Sequence, residues 1–245
     1  MKKTPDSPVI LGIALVFAIL AGPVRTQAED ESKRIVIESV ELKNNSANSL
    51  VNRYGVTYND LRDFETLIHG VDAMIPVRRF QSSIRYADRE TRAEIQGTTD
   101  QFSHLIPDEN LEGRFLKESD LLHRQNIVVI GERVARDLFG NSPNHALGRN
   151  LRIEGAYYLV IGVVEGREMR QFERTVWIPL TTMNSRMGDL FIRQTRGSIE
   201  VDACQIHRVE FMLSKDHNPD TVAQRLRLLM QKNHERKDYL IRIDE

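Results

Sequence analysis

Cysteine is almost missing from this chain: Cys204 is the single one among 245 residues. No intramolecular disulfide is possible, so the fold has to rest on its apolar core, which a chain of this length can supply. An excess of one charge is missing as well. With Lys+Arg 34 against Asp+Glu 35, there is no basic surplus of the kind that nucleic acid or an anionic membrane surface attracts. No nucleic-acid partner is expected. Long apolar runs are absent after the first 28 residues, where no stretch approaches the 18 or so residues of a spanning helix, and that part of the chain reads as soluble. The composition, 40% hydrophobic and 28% charged, is that of an ordinary globular protein of one large domain or two small ones.

Sequence signatures of chemistry are also missing. The segment from Gly131 to Gly166 holds six of the fourteen glycines, which invites a phosphate-binding reading. A dinucleotide loop needs three glycines within six residues between a strand and a helix, whereas these are mostly seven to nine apart. No Lys-Ser/Thr pair follows as in a P-loop. The spacing suits element boundaries: Gly131 opens and Gly140 closes the helix "ERVARDLF", Gly148 precedes a strand, and Gly155 turns into "YYLVIGVV". No cofactor is expected.

His69, His104, His123, His145, His207, His217 and His234 form no H-x-x-x-H or H-x-H pair and have no cysteine partner nearby, so no metal site is expected. Ser185, Ser198 and Ser214 lie in no G-x-S-x-G elbow. Glu109, Glu112, Glu118 and Asp120 cluster in "ENLEGRFLKESDLLHR". Paired carboxylates can do acid–base work, but their neighbours are too polar to separate two pKa values, and the stretch reads as a solvated loop with a short helix. "REMRQFERTVW" alternates Arg167, Arg170 and Arg174 with acids and reads as a solvated hairpin. No catalytic residue is assigned. Trp177, the single tryptophan, reads as core, with an interface anchor as the alternative.

Several things are clearly present. After "MKK" comes Val9 to Ala21, an apolar run closed by Gly22-Pro23, with Thr26 and Ala28 as small residues before a cleavage point. As a helix the run would be about 20 Å long, short of a hydrocarbon core of roughly 30 Å. Residues 1–28 are therefore expected to be a signal peptide, with an uncleaved membrane anchor as the alternative. The mature protein would then be periplasmic, or held at the inner membrane by residues 9–21.

Strand–helix–strand units follow at both ends of the remainder. "RIVIESVEL" alternates as a strand, and Thr57 with Asp60 caps a helix whose apolar face is Tyr58, Leu61, Phe64, Leu67 and Ile68. "VDAMIPV" reads as a strand ending near Pro76, and residues 82–97 as a hairpin turning at Asp88. At the other end, Cys204 to Leu213 reads as a strand. Asn218 with Pro219 caps a helix with buried Val222, Leu226, Leu229 and Met230, and Tyr239 to Ile243 closes as a strand. The fold class expected is α+β in two lobes: residues 35–95 and 200–245 form a split layer, and 96–199 an inserted β-rich lobe.

"VVIGERVARDLFG", "ALGRNLRIEGAYYLVIGVV" and "VWIPLTTMNSRMG", with "GVDAMIPVR" and "IQGTTDQF" upstream, together resemble the periplasmic core domain of MacB-type (FtsX-like) ABC exporter permeases. The resemblance runs over residues 35 to 245. It implies a two-lobed, non-enzymatic domain that binds a substrate, an adaptor or a permease partner and transmits conformational change. The partners it implies are ABC permease and ATPase subunits or a periplasmic adaptor. These residues hold no ATPase domain and no further span, and Gly22-Pro23 interrupts the family's helical stalk. Transport by this chain alone is therefore not expected. A free-standing exported binding protein of the same fold is the alternative.

Overall fold

A computed structural model describes residues 33–41, 53–140, 143–188, 191–195 and 198–244; the leader reading lies outside them. The first lobe begins with β1 (Arg34–Ser39), α1 (Tyr58–Leu67) and β2 (Val71–Tyr86). The middle holds β3 (Arg89–Thr98), β4 (Leu111–Gly113), α2 (Glu118–Leu122), β5 (Ile127–Gly131) and α3 (Glu132–Phe139). It goes on through β6 (Asn150–Ile153), β7 (Ala156–Val164), β8 (Thr175–Pro179), α4 (Leu180–Met187), β9 (Phe191–Thr195) and β10 (Ser198–Asp202). The chain returns with β11 (Arg208–Leu213), α5 (Pro219–Asn233) and β12 (Tyr239–Asp244).

Local chemistry sets both helices of the first lobe. Thr57 Oγ1 accepts from the Asp60 N–H, and the Asp60 carboxylate accepts from the Thr57 N–H at 2.8 Å, a reciprocal capping box. Asn218 caps α5 with Pro219 in its first turn. The two helices lie on one face of an antiparallel layer in which β1 sits between β11 and β12, and β11 pairs on with β2. Phe64 and Phe211 meet edge to face at 5.5 Å among Ile35, Ile37, Val209, Leu226 and Met230. Each such side chain contributes roughly 1.5–3 kcal/mol by leaving water. Leu67, expected on the buried face, is 48% exposed, because the core-facing stripe turns away by the last turn and Ile68 takes its place.

The strand reading needs one correction at Pro76. Instead of ending a strand there, β2 runs sixteen residues, pairing with β11 over Val71–Val77 and with β3 over Arg78–Tyr86. Proline has no N–H to give a ladder, and it is tolerated here just before the strand exchanges one neighbour for the other. The hairpin β2–β3, read with the first lobe up to residue 95, thus carries on into the sheet of the second. There β3 pairs with β8, β8 with β5 and β5 with β7. β6 pairs with both β7 and the far end of β2, through Ile84↔Ile153. Those pairings close six strands into a ring, which leaves no free edge among them. Phe80, Ile84, Ile95, Val128, Ile130, Leu151, Tyr158, Val160, Val176 and Ile178 fill its interior, and Val134 and Leu138 of α3 pack against them.

A third cluster joins the lobes. Ala73, Ile75 and Val77 of β2 pack against Phe102, Ile106, Phe115, Val129 and Trp177. Residues 167–172, read as part of a hairpin, are a 3-10 segment that buries Met169 and turns Phe172 toward Trp177. β11 starts at Arg208 rather than Cys204, which is buried just ahead of it.

Candidate functional site

The glycine segment answers its own question. At the start of α3 the N–H groups of Arg133 and Val134 both donate to the carbonyl of Glu173, at 3.0 and 3.3 Å. A helix N-terminus binds a phosphate only through N–H groups left unpaired. Here the protein's own backbone takes that place.

The carboxylates of "ENLEGRFLKESDLLHR" serve different ends. Asp120 is buried, accepts from the Lys117 N–H at 2.8 Å, and pairs with both guanidinium nitrogens of Arg114 at 2.7 and 3.2 Å. Burial raises its pKa, but the bonds from Arg114 and Lys117 outweigh burial and hold the carboxyl below its ordinary value. Glu112 lies on β4 opposite Val163. Glu165 is pushed up first by burial and then by the charges of Glu112 and Glu132. Glu109 lies in a 3-10 turn and Glu118 opens α2.

Trp177 is fully buried, with ring centroids of Phe102, Phe115 and Phe172 at 5.7, 5.9 and 5.5 Å. A side chain without exposed surface has nothing to present to a partner. The interface-anchor reading therefore gives way to an interior one, the reason being that the 3-10 segment and Phe102 cover the outer face of β8.

The most specific polar arrangement was not legible as a motif. His234, 8% exposed in its side chain, places Nε2 3.1 Å from Asp60 Oδ2 and Nδ1 2.9 Å from Asp238 Oδ1. Asp60 also accepts from Thr57 N and Oγ1 at 2.8 and 2.7 Å and from Asn233 Nδ2 at 2.8 Å. The far oxygen of Asp238 accepts from Gly55 N at 2.7 Å. Burial pushes the Asp60 carboxyl up, yet the Thr57 and Asn233 hydrogen bonds and the neighbouring His234 hold it below its ordinary 3.8. The cluster walls a cleft of about 540 Å³ that Arg53, Asn59, Asp63 and Gln205 also line. Only the spacing of His234 to Asp238 hinted at it, and that spacing alone is common.

A second polar node lies where the lobes meet. The Arg78 guanidinium, buried at the point where β2 changes neighbour, donates to Asn184 Oδ1 at 3.2 Å and to the Gly188 carbonyl at 2.6 Å. Tyr58 OH donates to the same Asn184 oxygen at 2.6 Å. One amide thus ties α1 of the first lobe, the crossover of β2 and α4 of the second. Leu180, the first residue of α4, reaches into the first lobe's core.

Comparison with known proteins agrees with this architecture. The model of the MacB-like periplasmic core domain matches residues 9–229. "Macrolide export ATP-binding/permease protein MacB" of Haemophilus ducreyi is 28% identical over 198 residues, covering 76% of this chain and 27% of that protein. The protein of the same name from Burkholderia thailandensis is 26% identical over 248 residues, 94% of this chain and 34% of its own length. The chain thus spans about a third or less of these relatives. Among solved structures, the periplasmic region of MacB from Actinobacillus actinomycetemcomitans superposes with a TM-score of 0.64 at 18% identity, covering 85% of this chain and 87% of that one. The extracellular domain of the transporter YknZ from Gram-positive bacteria gives 0.62 at 17% identity, over 85% and 99%. These likenesses establish the fold, and the family match extends over most of the sequence. This chain belongs to the MacB-like periplasmic core domain family of ABC transporters.

Proposed function

We propose that this chain is a non-enzymatic, extracytoplasmic module of a MacB-type ABC exporter. It binds a substrate, an adaptor or a permease partner and passes conformational change between them. Residues 1–28 deliver it across the membrane, as a cleaved leader or as an anchor through residues 9–21. The observation that carries the transmission part is the continuity of β2, which is at once a strand of the first-lobe layer and a stave of the closed ring. A displacement of either lobe is carried along that strand and through the Arg78–Asn184–Tyr58 node. Packed elements joined by hydrogen bonds in this way are one route by which coupling passes between distant sites.

The test is recovery of the tagged protein from gently solubilised native membranes. Permease or ATPase subunits of an ABC transporter, co-purifying in fixed ratio, are the expected result. The polar cleft beside His234 favours a second reading, a free-standing exported binder. A monomer that carries a small ligand and no transporter subunit would establish that reading and overturn the first. Alkaline carbonate extraction separates the leader from the anchor: a cleaved leader leaves the protein extractable.

A further inference from the structure

We propose that the free edge of β12 is a docking site for an extended acidic segment of a partner protein, which adds to the first-lobe layer as one more strand. Among the described residues β12 is the longest strand with a neighbour on one side only, that neighbour being β1. Which of its backbone groups face the open side follows from β1. The Ser39 N–H donates to the His207 carbonyl and the Leu213 N–H to that of Lys33, so the odd-numbered residues of β1 bond toward β11. The Val40 N–H donates to the Asp238 carbonyl at 2.8 Å, so the even-numbered ones bond toward β12. Hydrogen-bonded pairs alternate along an antiparallel ladder, and the register sets Glu38 against Leu240 and Val36 against Arg242. Leu240, Arg242 and Asp244 therefore turn their N–H and C=O groups inward, while Tyr239, Ile241 and Ile243 turn theirs outward. Natural edge strands are often blunted by a proline or a bulge. β12 carries no proline, and its register with β1 is unbroken.

What flanks the edge selects the occupant. Arg227 of α5, Tyr239 and Ile241 of β12, and Glu235, Arg236 and Lys237 between them line a groove of about 340 Å³. Three cations against one carboxylate favour an acidic chain there. Tyr239 and Ile241 pack toward the core beneath α1 and α5, so Leu240 between them points to the other face of the layer, where it is 47% exposed. Arg242 on that face is already tied to Glu38 and Asp244. Successive side chains of an added strand also point to opposite faces. The segment that fits therefore alternates, with acids on the side of Arg227 and Lys237 and apolar residues across from Leu240. The edge has these properties whether or not a transporter stands beside the chain, so the inference is separate from the exporter role.

The experiment adds two blocked peptides, each long enough to pair with all of β12, to the full chain. One alternates Glu with Val and the other Lys with Val, and NMR follows binding and amide exchange. The acidic peptide should slow exchange at Tyr239, Ile241 and Ile243. It should bind roughly tenfold more tightly than the basic one at low salt, about what two exposed ion pairs provide, and the preference should fade as salt is added. Arg227→Glu combined with Lys237→Glu should reverse it. A copy of the acidic peptide N-methylated along its length keeps every charge and cannot form the ladder, so it should not bind. Ile241→Pro removes one outward N–H without touching the bonds to β1 and should also abolish binding; the N-methylated peptide decides the matter if that variant fails to fold. Absence of binding by the acidic peptide, or equal binding of both, overturns the proposal. So does binding that leaves the three amides unprotected or survives N-methylation. Protection of those amides in the protein alone overturns it too. A second copy is then the occupant if protection grows with concentration, and the chain's own Glu29, Asp30 and Glu31 if it does not.

Discussion

Gly131 and Phe172 approach so closely that a Cβ on Gly131 would lie 2.2 Å from the Phe172 carbonyl oxygen and 2.7 Å from that of Glu173. The backbone of Gly131 itself is ordinary, with φ −74, so glycine is required there by space and not by conformation. The same close approach lets Glu173 cap α3.

Gly131→Ala should therefore destabilise the protein by about 1–3 kcal/mol or more, because the obstacle is backbone and cannot rotate away. Urea unfolding measures it. Gly148→Ala is the informative contrast: nothing lies within 4 Å of a Cβ there, but φ is +74, so its cost comes from backbone strain alone and should be about 1–2 kcal/mol.

Trp177→Ala should cost about 3–5 kcal/mol, the usual penalty for emptying a large buried aromatic site. Trp177→Phe should recover much of that loss, since it refills most of the space and removes an indole N–H that has no partner among the described residues. Trp177 is the sole tryptophan, so native fluorescence should be blue-shifted and move to the red on unfolding, reporting this cluster alone.

Acid should unfold the protein through Asp60 and Asp120. Both carboxyls sit below their ordinary 3.8 in the folded state. The folded form therefore binds the proton less readily than the unfolded one, and the stability is present above 3.8 and lost as pH falls through the lower folded values. Glu210 works in the opposite direction. Burial raises it despite Arg208 and Arg34, so its contribution improves as pH falls from neutral through that raised value. Asp60→Asn and Asp120→Asn should each flatten the acid limb of a stability–pH curve, while leaving the neutral limb lower than in the native protein.

Arg78→Ala should cost about 1.5–3 kcal/mol, the range for hydrogen bonds to a charged group, and Tyr58→Phe about 1 kcal/mol. Because both donors share Asn184 Oδ1, their effects should be non-additive, and each should shrink in an Asn184→Ala background. Hydrogen exchange should show α1 and α4 loosening together in any of the three variants. Loosening of one helix without the other would argue against coupling through this node.

Much of the local structure was written in short stretches of sequence. Thr57 with Asp60 and Asn218 with Pro219 fix the starts of α1 and α5 because a cap acts within one turn of the chain. The alternation of Ile35 and Ile37, and of Val209 and Phe211, fixes which side of the first-lobe layer is buried. The lone Cys204 excludes an intramolecular disulfide, and the order of motifs from Gly70 to Gly188 carries the family resemblance. What tertiary structure alone decided is the pairing of segments far apart. β2 continues through Pro76 because a second sheet is waiting at Arg78. β6 closes the ring because the far end of β2 lies beside it. Trp177 is interior because Phe102 and Phe172 fold over it from two different segments. Asp60 and His234, 174 residues apart, meet because α1 and α5 share one face of the layer. Periodicity and caps report the neighbours within a few residues of each position, whereas these contacts depend on which surfaces must leave water together, and that becomes determined only once the whole chain has closed its core.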